Sequence, residues 1–541
     1  MSEQPLSSID TAWLRMEDPA NMMMITGVLV FSAPVDFERL KATFEHRLLC
    51  YDRFRQRVVQ PRLGAPYWKD DPDFDLNYHL QPTTLPLPGD QAALQEVVSE
   101  LMSTQLDFTK PLWQMHLAEN YGDGCALIGR LHHCIADGIA LMHVLLSTAD
   151  TDPHAPWPSA RPKKERQRGW DPLGSLFTTT AQVTGTLLHV GLETLVNPSH
   201  ALDLARMGTD SAAALGRLVL RWPDPKTLFK GKLGVPKRAA WSEPLLLTDV
   251  KAIGRATGCT VNDVLLAAVT GALRRYMQGR GASVDDVRFR AVVPVNLRPP
   301  NVKPDLGNKF SLVFLTLPID IADPIDRVRE IKRYMDDLKG SPEPAVAFGI
   351  LNTIGMAPSK IQDIVVNIFG TKGTGVMTNV PGPKEKLYLA GAPLDSIIFW
   401  VPQSGHLGLG VSIMSYVGQV WVGCATDQGL VPDPETIVAN FHAEFDKLLE
   451  SAQSIKPAPT VKAMLAMLDE AIESLGGQGP ATMAAPEVAP AHCQGKTKTG
   501  QPCKRSPLPG SHFCSVHQKR GKKAGAPTGR RPAQKNVAKS G

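Results

Sequence analysis

The chain has 541 residues, more than one hydrophobic core normally serves, so two large domains are expected. Hydrophobic residues make up 43% and charged residues 21%, the balance of a soluble globular protein. There is no apolar run of about 18 residues and no basic-then-apolar leader at the N-terminus, so neither a spanning helix nor a secretory signal is expected. The net charge of +5 is uneven. Residues 491–541 hold 12 of the 58 Lys and Arg and none of the 53 Asp and Glu, which leaves a body of net −7 and a strongly basic tail.

Along the chain, Leu6-Ser-Ser-Ile-Asp-Thr-Ala-Trp13 offers Ser7, Ser8 and Asp10 as helix caps. Met23 to Phe31 reads as a buried strand, and Phe37, Leu40, Phe44 and Leu48 have helical spacing. A strand starting near Tyr51 and an amphipathic helix over Leu94 to Leu106 follow. Pro111 ends that helix ahead of a strand from Trp113 to Glu119. Trp113 is a candidate pocket residue whose default role is core packing.

Cys125 to Leu131 is an apolar strand and Ile139 to Leu146 a helix. Between them lies His132-His133-Cys134-Ile135-Ala136-Asp137-Gly138, a turn on which a side chain can be held rigidly and still face a cleft. A neutral imidazole there can take the proton of a hydroxyl as its oxygen attacks an electrophile. Asp137 is expected to hold the loop, and Gly138 to permit a turn that a side chain would strain. The competing reading is a pair of histidines that merely caps a strand.

Residues 151–170 are Pro-rich and basic, an exposed linker, and two or three helices are expected over 173–222. Lys226, Lys230, Lys232, Lys237 and Arg238 form a basic stretch suited to an anionic group or to solvent. A second unit, 239–450, mixes strands and helices. Asn262 and Asp263 stand at the start of an apolar helix, as caps. Strands are expected over 289–298, 310–319, 374–380, 397–401, 407–416 and 419–427, the last two joined by a tight hairpin, with a closing helix over 434–449. The alternation argues for an α/β chain. Cys50, Cys125, Cys134, Cys259 and Cys424 are scattered and read as reduced cysteines of a cytoplasmic protein.

After a linker at 451–490, Cys493, Cys503, Cys514 and His517 follow the pattern Cys-x9-Cys-x10-Cys-x2-His. Three thiolates and an imidazole suit a structural tetrahedral Zn site over 491–520, similar to small Cys/His modules appended to unrelated proteins. The basic tail, 521–541, is expected to be disordered. With Gln518-Lys-Arg-Gly-Lys-Lys523 it calls for an anionic partner, lipid at a membrane or inclusion surface ahead of nucleic acid.

Residues 5–450 resemble the wax ester synthase/acyl-CoA:diacylglycerol acyltransferase family of the CoA-dependent acyltransferase superfamily. The carriers are Leu6 to Trp13, Pro111-Leu-Trp113, the His132–Gly138 turn, Asn262-Asp263, Pro294-Val-Asn-Leu-Arg298, Gly307-Asn308 and Asn379-Val-Pro-Gly-Pro383. The resemblance implies two chloramphenicol-acetyltransferase-like domains, 1–150 and 239–450, with an active-site channel between them. It implies His133 as general base, His132 as a supporting residue, Asp137 as a loop anchor through Arg298, and Asn262 near the reacting centre. Gly138, Arg298 and Trp113 would meet substrate. The substrates would be acyl-CoA and diacylglycerol or a long-chain alcohol, with no catalytic cofactor and direct transfer in which Cys134 is not the nucleophile. The alternatives are a condensation-type enzyme using carrier-bound acyl groups and a non-catalytic lipid- or nucleic-acid-binding protein. The expected location is cytoplasmic, at a membrane or lipid inclusion surface.

Overall fold

A computed structural model describes residues 3–62, 64–158, 221–297, 306, 308–341, 343–344, 346–349, 367, 370–403 and 407–455, and, near the C-terminus, 492–493, 495–497, 499–505 and 514–517. The chain divides into two compact units, Met1–Lys456 and Pro457–Gly541. The helices expected over 173–222, most of the linkers at 151–170 and 451–490, and the basic tail lie outside the described residues.

In chain order the described strands are β1 (Gln4–Pro5), β2 (Met24–Phe31), β3 (Gln56–Val59), β4 (Tyr67–Asp70), β5 (Leu80–Thr83), β6 (Trp113–Tyr121), β7 (Gly124–His132) and β8 (Lys237–Trp241). They continue as β9 (Leu245–Leu246), β10 (Arg288–Asn296), β11 (Phe310–Pro318), β12 (Gly375–Pro381), β13 (Tyr388–Leu389), β14 (Ala392–Trp400), β15 (Leu409–Tyr416) and β16 (Gln419–Asp427). Two large sheets result, in the orders β13-β14-β2-β7-β6-β5 and β11-β10-β12-β15-β16-β8, with β9 beside β16 and a small sheet β1-β4-β3. Both large sheets are mixed. β5 runs parallel to β6 in the first, and β12 runs parallel to β10 and β15 in the second. This is the expected α/β architecture of two helix-bearing mixed sheets.

One strand crosses over. β14 lies deep in the expected second unit, yet it pairs antiparallel with β2 of the first sheet, Ile398 opposite Val28 and Trp400 opposite Thr26. Part of the stretch 239–450 thus contributes a strand to the first sheet. Ile397-Ile398-Phe399-Trp400 is apolar on both faces and needs cover on both. It obtains this cover by bonding to β2 while packing on the second sheet, where Trp400 meets Trp241 at 5.8 Å and the Ser412 hydroxyl donates to the Phe399 carbonyl.

Behind the second sheet the helices Val261–Gly279 and Pro434–Gln453 bury Leu265, Val269, Leu273, Phe441 and Phe445 against Val411, Ile413 and Val422. They are tied by an ion cluster in which the buried Arg327 and the partly exposed Arg275 both reach the buried Glu444. A Cβ at Gly271 would run into the Arg327 guanidinium and the Glu444 carboxylate, so any larger residue there would force this ion pair to shift. Two of the five cations in the basic stretch are bound to the fold rather than left to solvent. Lys237 pairs with the buried Asp427 at 2.7 Å, and the Lys230 ammonium donates to the carbonyls of Thr371 and Gly373.

Candidate active site and metal centre

β7 delivers the histidine pair. Its last residue is His132, and the His133 amide donates to Met23 O at 2.7 Å, which ties the turn to the start of β2. The helix Gly138–Thr148 begins directly afterwards, capped by Asp137, whose Oδ1 accepts from Ala140 N at 2.9 Å. The other Asp137 oxygen accepts from Lys309 N, at the start of β11, also at 2.9 Å. Asp137 therefore ties the loop to the helix that follows it and to the start of β11. The proposed anchor Arg298 lies outside the described residues.

The His133 imidazole is 4% exposed. Trp13 stacks on it with ring centroids 4.1 Å apart, and Phe310 tilts against it at 5.6 Å. Burial pushes its pKa down to about 4, against the pull of the Asp137 carboxylate. The ring is thus neutral at physiological pH, the form a general base requires. His132 is different. Its Nδ1 accepts from Cys134 N at 3.1 Å, so its neutral form carries the proton on Nε2, which faces Glu17 Oε2 at 3.5 Å. It is fully buried and braces the turn. Cys134 is also sealed in, and burial pushes its thiol well above the usual range, so no thiolate is on hand.

Three expectations are corrected. Gly138 does not occupy a strained turn: its φ is ordinary and a Cβ there would meet nothing within 4 Å, so the first turn of the helix borders open space. Trp113 is a core residue among the described residues. It is wholly buried, stacked on His79 at 4.5 Å, with its indole N–H given to Phe54 O at 2.9 Å. Asn262 is not a cap. Thr260 and Asp263 form a reciprocal capping box, which leaves Asn262 free to accept from Asn379 Nδ2 at 3.0 Å. The two motifs Asn262-Asp263 and Asn379-Val-Pro-Gly-Pro383 are thereby joined.

Sequence reasoning set Asp10 aside as a cap, and the cap is Ser7. Asp10 is instead buried beneath the histidine turn, 3.2 Å from Arg53 Nη2 through Oδ2, and its Oδ1 accepts from Asn308 Nδ2 at 2.7 Å. Asn308 also donates to His133 O at 2.9 Å, and Arg53 Nη1 donates to Ile135 O at 2.5 Å. The available signal was the company Asp10 keeps: a carboxylate three residues before an apolar Trp, on an otherwise buried helix.

In the C-terminal unit, Cys493, Cys503, Cys514 and His517 come together with their ligand atoms within 4.8 Å of one another. Cys503 Sγ and Cys514 Sγ are 3.9 Å apart, and His517 Nδ1 is 3.3 Å from Cys514 Sγ and 3.4 Å from Cys493 Sγ. A tetrahedron with metal–sulfur bonds of about 2.3 Å has edges of about 3.8 Å, so the spacing fits Zn2+. His517 Nε2 lies 2.8 Å from Lys496 O, which fixes the tautomer that leaves the Nδ1 lone pair facing the three sulfurs.

Family models cover most of the larger unit. The wax ester synthase/diacylglycerol acyltransferase catalytic domain matches residues 6–265, and the C-terminal domain of the same family matches 306–449. Two Mycobacterium tuberculosis proteins, each described as a probable diacylglycerol O-acyltransferase, are 28% and 29% identical to this chain. The alignments cover 79% and 82% of it and 92% and 98% of them. Among solved structures, the wax ester synthase/diacylglycerol acyltransferase from Marinobacter aquaeolei VT8 is 24% identical with a TM-score of 0.60, covering 83% of this chain and all of that one. The first condensation domain of the calcium-dependent antibiotic synthetase, at 16% identity and a TM-score of 0.54 over 84% and 97% of the two chains, shares the fold alone. With both parts of the family signature present in order around the histidine turn, the chain belongs to the wax ester synthase/diacylglycerol acyltransferase family.

Proposed function

We infer that the protein is an acyl-CoA-dependent O-acyltransferase that esterifies diacylglycerol or a long-chain alcohol, with His133 as its general base. The observation that carries this reading is the neutral, buried His133 ring between Trp13 and Phe310, on a loop anchored by Asp137. The imidazole takes the proton of the acceptor hydroxyl as its oxygen attacks the thioester carbonyl. The tetrahedral intermediate collapses, the C–S bond breaks, and the CoA thiolate leaves with the proton that His133 carried. A thioester is activated enough to need no enzyme nucleophile, and the sealed, protonated Cys134 supports direct transfer. Asn262, held by Asn379, is the polar group assigned to the reacting centre. Trp13 and Phe310 cover the ring, so substrate binding has to displace this small apolar cluster.

The same proposal gives the Cys/His site a structural Zn2+, held by Cys493, Cys503, Cys514 and His517, which orders a segment too short to fold on its own core. It places the protein in the cytoplasm at an anionic membrane or lipid inclusion, reached through the basic tail rather than through a spanning helix. Among the described residues no single helix is long and apolar enough to cross a membrane. The deciding assay incubates purified protein with palmitoyl-CoA and either diolein or hexadecanol, following free thiol and ester. Thiol release coupled one-to-one to triacylglycerol or wax ester is expected, and thiol release without ester, or neither, contradicts the reading.

A further inference from the structure

We propose that Asp10, Arg53 and Asn308 form a buried clamp that sets the position of the His133 ring by gripping the carbonyls of three successive loop residues. The inference rests on the reading of His133 as the base. Asn308 spends both hydrogens of its amide, one on Asp10 Oδ1 at 2.7 Å and one on His133 O at 2.9 Å. Arg53 gives Nη1 to Ile135 O at 2.5 Å, with Cys134 O at 3.4 Å, while its Nη2 meets Asp10 Oδ2 at 3.2 Å. Asp10 is the hub: its one carboxylate orients both donors.

A carboxylate with no exposure is costly to bury unless fully paired, and here its pairing is directed at the loop. The helix Ser8–Arg15 that carries Asp10 also carries Trp13, which stacks on the imidazole. One helix therefore governs both the backbone under the base and the face of its ring. Asn308 precedes β11, in the second half of the chain, whereas Asp10 and Arg53 come from the first. The clamp thus fixes the base relative to the half that bears Asn262 and Asn379. These three are positioning residues: they act through the loop main chain, and the Asn308 side chain also faces the His133 ring.

The test compares the full-length enzyme with Asn308→Ala, Asp10→Asn, the double variant and His133→Ala, each measured per folded molecule by near-ultraviolet dichroism. Misplacing the base lowers the rate of the chemical step and leaves substrate binding alone. Asn308→Ala is expected to lower kcat at least tenfold, with KM for palmitoyl-CoA and acceptor within twofold. Asp10→Asn keeps an acceptor for Asn308 but loses the charge that holds Arg53, and a smaller fall in kcat is expected. The double variant should match Asn308→Ala within twofold, since both act on the same carbonyls. Unchanged kcat in Asn308→Ala, a loss confined to KM, or losses that multiply in the double variant would overturn the clamp. If Asn308→Ala does not fold, the near-isosteric Asp10→Asn decides alone, and wild-type kcat there overturns it. An inactive His133→Ala beside active clamp variants sinks the clamp only, whereas an active His133→Ala sinks the base reading itself.

Discussion

A histidine serves as a base only while it is neutral, and at position 133 neutrality comes from burial. The ring takes its proton near pH 4, not near 6.5. Its active form therefore exists above that pKa and is lost as pH falls through it. The acid limb of the kcat/KM profile is expected close to pH 4, and a limb at 6.5 would contradict the buried geometry. Cys134 stands beside the proposed base as a sealed thiol, so Cys134→Ser should keep turnover within about threefold, and the loss of all turnover in a folded variant would favour an acyl-enzyme route. The gathering of Cys493, Cys503, Cys514 and His517 was legible in the sequence because it has a local spacing, whereas His133 and Asp137 were singled out by the family resemblance. The meeting of Asp10, Arg53 and Asn308 was not legible, because it spans almost three hundred residues and depends on burial. Trp113 shows the converse. A Trp beside a motif reads equally as pocket or core, and only its satisfied N–H and total enclosure separate the two.

At the scale of elements, periodicity carried most of the strands. The hairpin of β15 and β16 emerged with its turn at Val417-Gly418, both with positive φ, 46° and 78°. Gly418 suits that turn, but Val417 is β-branched and poorly suited to a left-handed backbone. Val417→Asn is expected to stabilise the fold by about 1 kcal/mol, read as a rise in the unfolding midpoint, and a fall would show that the Val417 side chain packs usefully. The partner of β14 was not legible. A run apolar on both faces signals burial but not which sheet supplies the hydrogen bonds. The two helix starts differ: Ser7, one of the caps expected at the first, is the cap, whereas at the second Thr260 is the cap and Asn262 and Asp263 were credited instead. At Thr260 the acid completes a capping box, and at Ser7 it is released for the clamp.

For the whole molecule, two mixed sheets tied by a crossing strand make the catalytic unit, and the Cys/His segment belongs to a separate compact unit. Ending the chain after Lys456 is expected to leave detergent-solubilised acyl transfer within about twofold, to abolish bound zinc, and to weaken binding to anionic vesicles. Full-length protein should carry about one zinc per chain by elemental analysis, matching the four-ligand site. Zinc retained after truncation, or absent from the full-length protein, would refute that assignment. All of this is secondary to the imidazole at position 133. The most direct measurement is the turnover number of His133→Ala with palmitoyl-CoA and the preferred acceptor, at a fold matched to wild type. Loss of a general base predicts a fall of about 100- to 10,000-fold, and a turnover number within a few-fold of wild type would contradict the account.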